Sequence, residues 1–300
     1  MKIGVFDSGY GGLTILRAIR QALPQYDYLY LGDNARAPYG THSFDVIYKY
    51  TLQAIHYLIE HNCTLVIMAC NTASAKALRS IQQRDLPLIN AQRPANKRVN
   101  VLGVIRPTVE VVPSITTNGH IGILATPATV QSQSYLMELA KINAEREQAG
   151  QPALVVSQQE CPMWVPLIES GEHNQSGADY FIDLYLRKLF AQDKTIDTLV
   201  LGCTHYPLLR EPIARHLTAM GRGEVQIIFI RPPSTSPIIT GDCSVAAEME
   251  VPTRDMSPLT KGSAATAIAR ASPAASNVPR ITSGPAGNRL TTGSMTKNRM

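Results

Sequence analysis

Long hydrophobic runs, clustered cysteines and a one-sided charge balance are all missing from this 300-residue sequence, and each absence excludes something. No apolar stretch approaches the roughly 18 residues of a membrane span. The start, "MKIGVFDSGYGG", carries one Lys and then breaks at Asp7, Gly9, Gly11 and Gly12, so no secretory h-region follows. Five cysteines without compact spacing do not make a disulfide framework, and cytosol is the expected compartment. The formal charge of +5 is uneven: residues 231–300 hold eight of the 28 basic and four of the 23 acidic residues, leaving twenty and nineteen in the rest. A near-neutral body gives no electrostatic footprint for nucleic acid.

Aromatics are missing too, but only from one end. The chain has 12 Tyr, five Phe and one Trp, and none of them lies beyond residue 230. Ser, Thr, Pro, Ala and Gly fill 41 of the last 70 positions, and no helical or alternating period persists there. Such a segment has little apolar surface to offset ordering entropy, so residues 229–300 are expected to be a mostly disordered tail.

What is present, up to about residue 230, is an alternation of strands and helices. "KIGVFD", "YDYLYLGD" and "CTLVIMAC" read as strands, separated by helical spacing at Leu13, Leu16, Ile19 and Leu23 and by "FDVIYKYTLQAIHYLIEH". "NTASAKALRSIQQ" opens a further helix, with Asn71 and Thr72 suited to its N-cap. The rhythm restarts after the polar connector "NAQRPANKR": strands at "VNVLGVI" and "HIGILAT", a helix from "ATVQSQSYLMELAKI", a strand at 153–157, a helix near 178–190, the strand "TLVLGC" and the helix "YPLLREPIARHLTAM". This pattern predicts an α/β protein with two pseudo-symmetric, doubly wound parallel-sheet lobes, 1–98 and 99–228, and a cleft between them.

Two stretches stand out, "LVIMACNTASA" and "LVLGCTHYPLL". Each is an apolar strand ending in a cysteine just before a helix, and Cys70 and Cys203 are 133 residues apart. Ligands of open α/β sheets bind at the carboxyl ends of the strands, which would put both thiols in one cleft. The thiolate is the reactive form, its pKa of about 8.5 falls near a helix N-terminus, and a thiol can move protons without metal or cofactor. Two such groups on opposite faces of a substrate could remove a proton from one side and return it from the other, inverting a stereocentre. Asp7 and Ser8, in a Gly-rich turn able to bind an anion, and His205 and Glu169 could tune the thiols or relay protons. Asn71, Thr72, Thr126, Thr129 and Thr204 add neutral hydrogen-bonding groups for a zwitterion.

Plainer readings exist for each feature. A lone buried Cys at a strand end is usually a small hydrophobe, the reading kept for Cys63 and Cys161. Cys70 and Cys203 could pair as a disulfide, which a reducing cytosol disfavours. Cys203-x-His205 lacks further zinc ligands at usual spacing, and "FDSGYGG" lacks the Gly-Lys-Ser/Thr of a phosphate loop. Asp7 alone could be a helix cap, and His205 a hydrogen-bonded structural residue.

"GVFDSGYGGLTILRAI", "YLGDNARAPYG", "ACNTASA", "GVIRPTVE", "ATPATVQSQSY", "CPMWVPLIESGE" and "LVLGCTHYPLL" together resemble the glutamate racemases of the aspartate/glutamate racemase superfamily, from residue 1 to about 230. The resemblance implies a cofactor-independent, metal-free, two-base racemisation of glutamate, with D-glutamate feeding peptidoglycan synthesis. It implies that Cys70 takes the α-proton of D-glutamate and Cys203 that of L-glutamate, assisted by Asp7, His205 and Glu169. Substrate contacts are implied at Ser8, Pro38, Tyr39, Gly40, Asn71, Thr72, Thr126, Thr129 and Thr204. The implied partner is a small molecule, neither nucleic acid nor membrane, and a homodimer is one arrangement the resemblance allows. After "VQIIFI" the chain departs from the family, which returns to the first lobe through an amphipathic helix, and a frameshifted or replaced C-terminus is one hypothesis. Other readings are a racemase for aspartate or another amino acid, a member without activity acting as a binding protein, and a thiol–disulfide exchanger.

Overall fold

The computed structural model describes residues 1–229 and the backbone of 267–271. Two sheets carry the fold. The first has the order β4-β3-β1-β2-β9, built from β1 (Lys2–Asp7), β2 (Asp27–Gly32), β3 (Cys63–Met68), β4 (Asn100–Gly103) and β9 (Ala267–Ala271). The second has the order β6-β5-β7-β8, from β5 (His120–Ala125), β6 (Val155–Glu160), β7 (Thr198–Gly202) and β8 (Gln226–Phe229). All pairings are parallel except that of β9 with β2.

Strand alternation explains how the helices pack. On one face of the first sheet, Phe6, Leu29, Leu31, Val66 and Met68 meet Ile47, Ile55 and Leu58 of the helix Phe44–Glu60. On the other, Ile3, Val5, Tyr28 and Tyr30 meet Ile15, Leu16 and Ile19 of the helix Gly12–Ala22. In the second sheet, Leu124, Leu199 and Leu201 face the helices Ser176–Gln192 and Arg210–Ala219, while Ile121, Ile123 and Val200 face Ile105–Val111 and Ser134–Gln148. Period-2 strands sending alternate side chains to helices on both faces are what the doubly wound reading requires.

Two expectations need correction, and a third gains a detail. The strand at 100–103, expected to open the second lobe, pairs with β3 through Leu65↔Asn100 to Met68↔Gly103, so the first sheet runs past residue 98. The polar connector before it is a crossover within one sheet rather than a passage between two. The tail, expected to be mostly disordered, contributes one described strand at 267–271, whose backbone adds antiparallel to β2 from Tyr28↔Ala271 to Gly32↔Ala267. An edge strand offers a row of unpaired N–H and C=O groups, a template for pairing that side-chain periodicity does not register. The rest of 230–300 lies outside the described residues. Finally, the helix Asn71–Lys76 is capped by Cys70, whose sulfur accepts from the Ala73 N–H at 3.4 Å, and not by Asn71 or Thr72. Among the described residues no helix is long and apolar enough to cross a membrane.

Candidate active site

The carboxyl ends of β1, β3, β5 and β7 converge. β1 ends at Asp7, β3 runs into Cys70, β5 into Thr126 and β7 into Cys203. Between them lies a cavity of about 10 Å³ lined by Ser8, Pro38, Tyr39, Gly40, Cys70, Asn71, Thr72, Thr126, Val165, Glu169, Cys203, Thr204 and His205. Twelve of the fourteen residues singled out from the sequence are therefore brought to one cavity. The other two sit directly behind it. Asp7, fully buried, accepts from the Gly9 N–H at 3.0 Å and from Thr204 Oγ1 at 3.3 Å. Thr129 is also fully buried, with its hydroxyl 3.0 Å from Thr126 Oγ1 and its N–H donating to that oxygen at 3.4 Å.

The two thiols stand in different company. Cys70 Sγ is 3.3 Å from Ser8 Oγ and accepts the Ala73 N–H. Burial, and then the charge of Asp7, push the Cys70 thiol up to about 12 against those hydrogen bonds. Burial likewise raises the Asp7 carboxyl, against the pull of His205, the Gly12 and Gly9 amides and the Thr204 hydroxyl. Cys203 Sγ lies 3.8 Å from His205 Nδ1, whose Nε2 is 3.2 Å from Glu169 Oε1. Burial by itself would lower the His205 pKa. Its hydrogen bonds to Cys203 and Glu169 and the charges of Cys203 and Asp7 outweigh that and hold it well above the ordinary range.

The seam between the two sheets is tight. A Cβ on Gly11 would stand 2.6 Å from Thr204 Oγ1 and 2.8 Å from the Thr204 carbonyl carbon, and one on Gly40 would stand 2.9 Å from Thr126 Cβ. Thr72 Oγ1 and Thr126 Oγ1 hydrogen-bond across it at 3.0 Å. Tyr135, from the helix Ser134–Gln148, donates to Asn71 Oδ1 at 3.0 Å. In the cavity wall, Tyr39 is set by a 2.5 Å hydrogen bond to Asp33, just beyond β2, which also pairs with Arg36 at 2.6 Å.

Sequence reasoning missed Val165, Tyr135 and Asp33. Val165 lies four residues before Glu169 in the helix Trp164–Glu169, so it shares a face with Glu169, and helical spacing could have found it. For Tyr135 and Asp33 nothing in the local pattern signals the contact.

Two doubly wound sheets, each bringing a cysteine from the carboxyl end of a strand to one cavity, define the class: an α/β protein whose candidate site is built by both sheets. The comparisons narrow it. The family model described as Asp/Glu/Hydantoin racemase matches residues 12–232, and the chain belongs to that family of isomerases. It is 36% identical to a glutamate racemase from Persephonella marina over 84% of this chain and 90% of that one. With a glutamate racemase from Aquifex pyrophilus the identity is 39% over 76% and 78% of the two chains. Among solved structures, glutamate racemase isoform RacE1 from Bacillus anthracis superposes with a TM-score of 0.63 at 31% identity over 76% of each chain. A glutamate racemase from Francisella tularensis, solved in complex with D-glutamate, gives a TM-score of 0.61 at 36% identity over 76% of this chain and 75% of that one.

Proposed function

We propose that this protein interconverts L- and D-glutamate by moving the α-proton between two cysteines. The observation that carries the reading is that Cys70 and Cys203 line the same cavity from the ends of different sheets. A proton taken from one face by one thiolate and returned to the other face by the opposite thiol inverts Cα without any group having to rotate. Cys203 would take the proton of L-glutamate, with His205 donating to its sulfur and Glu169 steadying the imidazole. Cys70, held as a thiol by burial beside Asp7, would deliver the replacement. For D-glutamate the roles reverse. The glutamate racemases similar to this chain, one of them solved with D-glutamate, support the choice of substrate.

The hydroxyls of Ser8, Thr72, Thr126 and Thr204 and the Asn71 amide surround the cavity with neutral donors suited to two carboxylates. A cavity of about 10 Å³ has room for about one water, so glutamate enters when the seam opens, and the two sheets close again around it in a wider arrangement than this one. A cytoplasmic supply of D-glutamate for cell-wall synthesis is the role that follows.

The deciding experiment incubates D-glutamate with the full-length protein in heavy water and follows optical rotation and α-deuterium together. Loss of rotation with one deuterium gained per inversion is expected. Rotation unchanged, with no deuterium at Cα, would rule the reading out. Initial rates on aspartate, alanine and glutamine measured in the same way fix the substrate, with glutamate expected to lead.

A further inference from the structure

Asn71 lies in the cavity wall at 1% exposure, and the two ends of its amide are treated differently. Oδ1 accepts from Tyr135, whereas Nδ2 is buried without a partner. A buried N–H donor left unpaired is costly, and such groups in native proteins call for a ligand or a function.

Tyr135 is built for one task. It is fully buried, and its ring packs among Ile121, Ile123, Leu139 and Val200 in the core of the second sheet. Its hydroxyl is the polar tip of an otherwise apolar environment, and Asn71 Oδ1 is the acceptor it reaches. Burial raises the phenol far above its ordinary range, so it keeps its proton. Turning the amide over would give Tyr135 an N–H2 to face and leave the hydroxyl hydrogen without an acceptor. The phenol therefore selects one of the two amide orientations. Thr126, from the same sheet, likewise reaches the neighbouring residue, Thr72, with its hydroxyl 3.0 Å from Thr72 Oγ1.

We infer that Tyr135 is a positioning residue: its hydroxyl locks the Asn71 amide with the N–H2 group free toward the cavity, as a fixed donor for a carboxylate of the amino-acid substrate. The inference rests on the reading above that the cavity takes glutamate. Because Tyr135 belongs to the second sheet's layer and Asn71 to the first, the donor is set only while the two are closed on each other. Closure and recognition are thereby the same event, and an open site binds the carboxylate less well.

The test uses the full-length protein, its Tyr135→Phe, Asn71→Ala and Asn71→Asp variants, and the Tyr135→Phe/Asn71→Ala double variant, assayed for racemisation in both directions. Tyr135→Phe should raise KM for glutamate about tenfold while kcat changes less than about threefold, the signature of lost binding shared by ground and transition states. In the Asn71→Ala background the same change should alter KM less than about twofold, because two residues acting through one contact are not additive. A wild-type KM for Tyr135→Phe, or an equal loss in both backgrounds, would overturn the inference while leaving glutamate racemisation intact. Asn71→Asp offers an independent arm, since it still accepts from Tyr135 but turns a carboxylate oxygen to the cavity. Its KM should rise at least as far as that of Asn71→Ala, and a KM at or below wild type would overturn the inference. A wild-type protein that turns over no glutamate would remove the functional reading and this inference with it.

Discussion

The carboxyl ends of the strands and their amino ends are made of the same residue types, arranged to opposite effect. At the amino end of the second sheet, Asp197 accepts from Thr116 Oγ1, Thr117 N and Thr117 Oγ1 at 2.7 Å each and from Asn118 N and Thr198 Oγ1 at 2.9 Å. Partial burial would raise this carboxyl, but the donors hold it at about 2. At the carboxyl end of the first sheet, Asp7 is fully buried near the Cys70 thiol, and burial raises its pKa. Asn71 Nδ2 there has no partner. One end satisfies its polar groups and gains stability. The other buries a carboxyl at the expense of its charge and leaves the Asn71 Nδ2 donor unpaired, which is how a site keeps binding and proton-transfer capacity in reserve.

Substitutions at the two ends should therefore separate activity from stability. The largest effect is expected at the thiols. Cys70→Ser or Cys203→Ser should lower kcat by about 10²–10⁴-fold, the range of a lost acid–base group, with Tm within a few degrees of wild type. The sharper signature is directional. Each variant should retain α-proton wash-out from the enantiomer that faces its remaining cysteine, read by deuterium uptake from separate L- and D-glutamate samples. Equal, mild losses for both enantiomers would break the two-base assignment. Next comes the seam: Gly11→Ala would place a methyl 2.8 Å from the Thr204 backbone, which a side-chain rotation cannot relieve. The two ends of the site would be held apart, and a displacement near 1 Å costs about 10²-fold in rate. A wild-type kcat/KM for Gly11→Ala would show that the closed seam is not the working state.

The same division explains what could be read from the sequence. Cys70 and Cys203 were legible because a strand ending in Cys before a helix is a local pattern, and the topology of parallel sheets carries it to the cleft. Asp7 and Thr129 came with their motifs, although both stand behind the cavity rather than in its wall. Tyr135 was not legible, since its hydroxyl meets Asn71 across 64 residues and two layers. Nor was the sheet to which β4 belongs, because a four-residue strand of "NVLG" looks the same in either sheet and is placed by its hydrogen bonds to β3. β9 is the extreme case, being found through the backbone edge of β2 and not through any periodicity of its own.

His205 lies between these extremes, as it belongs to the site yet is well bonded. His205→Asn should cut kcat about 10–100-fold, less than loss of either thiol, because the imidazole assists Cys203 rather than touching Cα. It should also change the dependence of stability on pH. A histidine whose folded pKa exceeds its unfolded value of about 6.5 stabilises fully below that value, and the contribution is lost as pH rises through the raised folded pKa. Wild-type Tm should fall over that window above pH 6.5, and the His205→Asn curve should be flatter there. Parallel curves would mean that the protonated imidazole is no more at home in the folded site than in the unfolded chain.

The smallest effect belongs to the amino end, and it should spare catalysis. Asp197 has a folded pKa of about 2 against an ordinary 3.8, so its contribution is present above pH 4 and fades as pH falls through 2. Because the group is partly open to solvent, the contribution is about 1 kcal/mol rather than the full value of the shift. Asp197→Asn should therefore lower Tm by about 2–4 °C at pH 7, leave kcat and KM unchanged, and reduce the loss of stability between pH 4 and pH 2. An unchanged Tm would mean that the Thr116–Asn118 turn is held by its backbone and β5 alone. A change in kcat would mean that the amino end reaches the cavity through β7, which ends only one residue before Cys203, and the two ends would then be one unit rather than two.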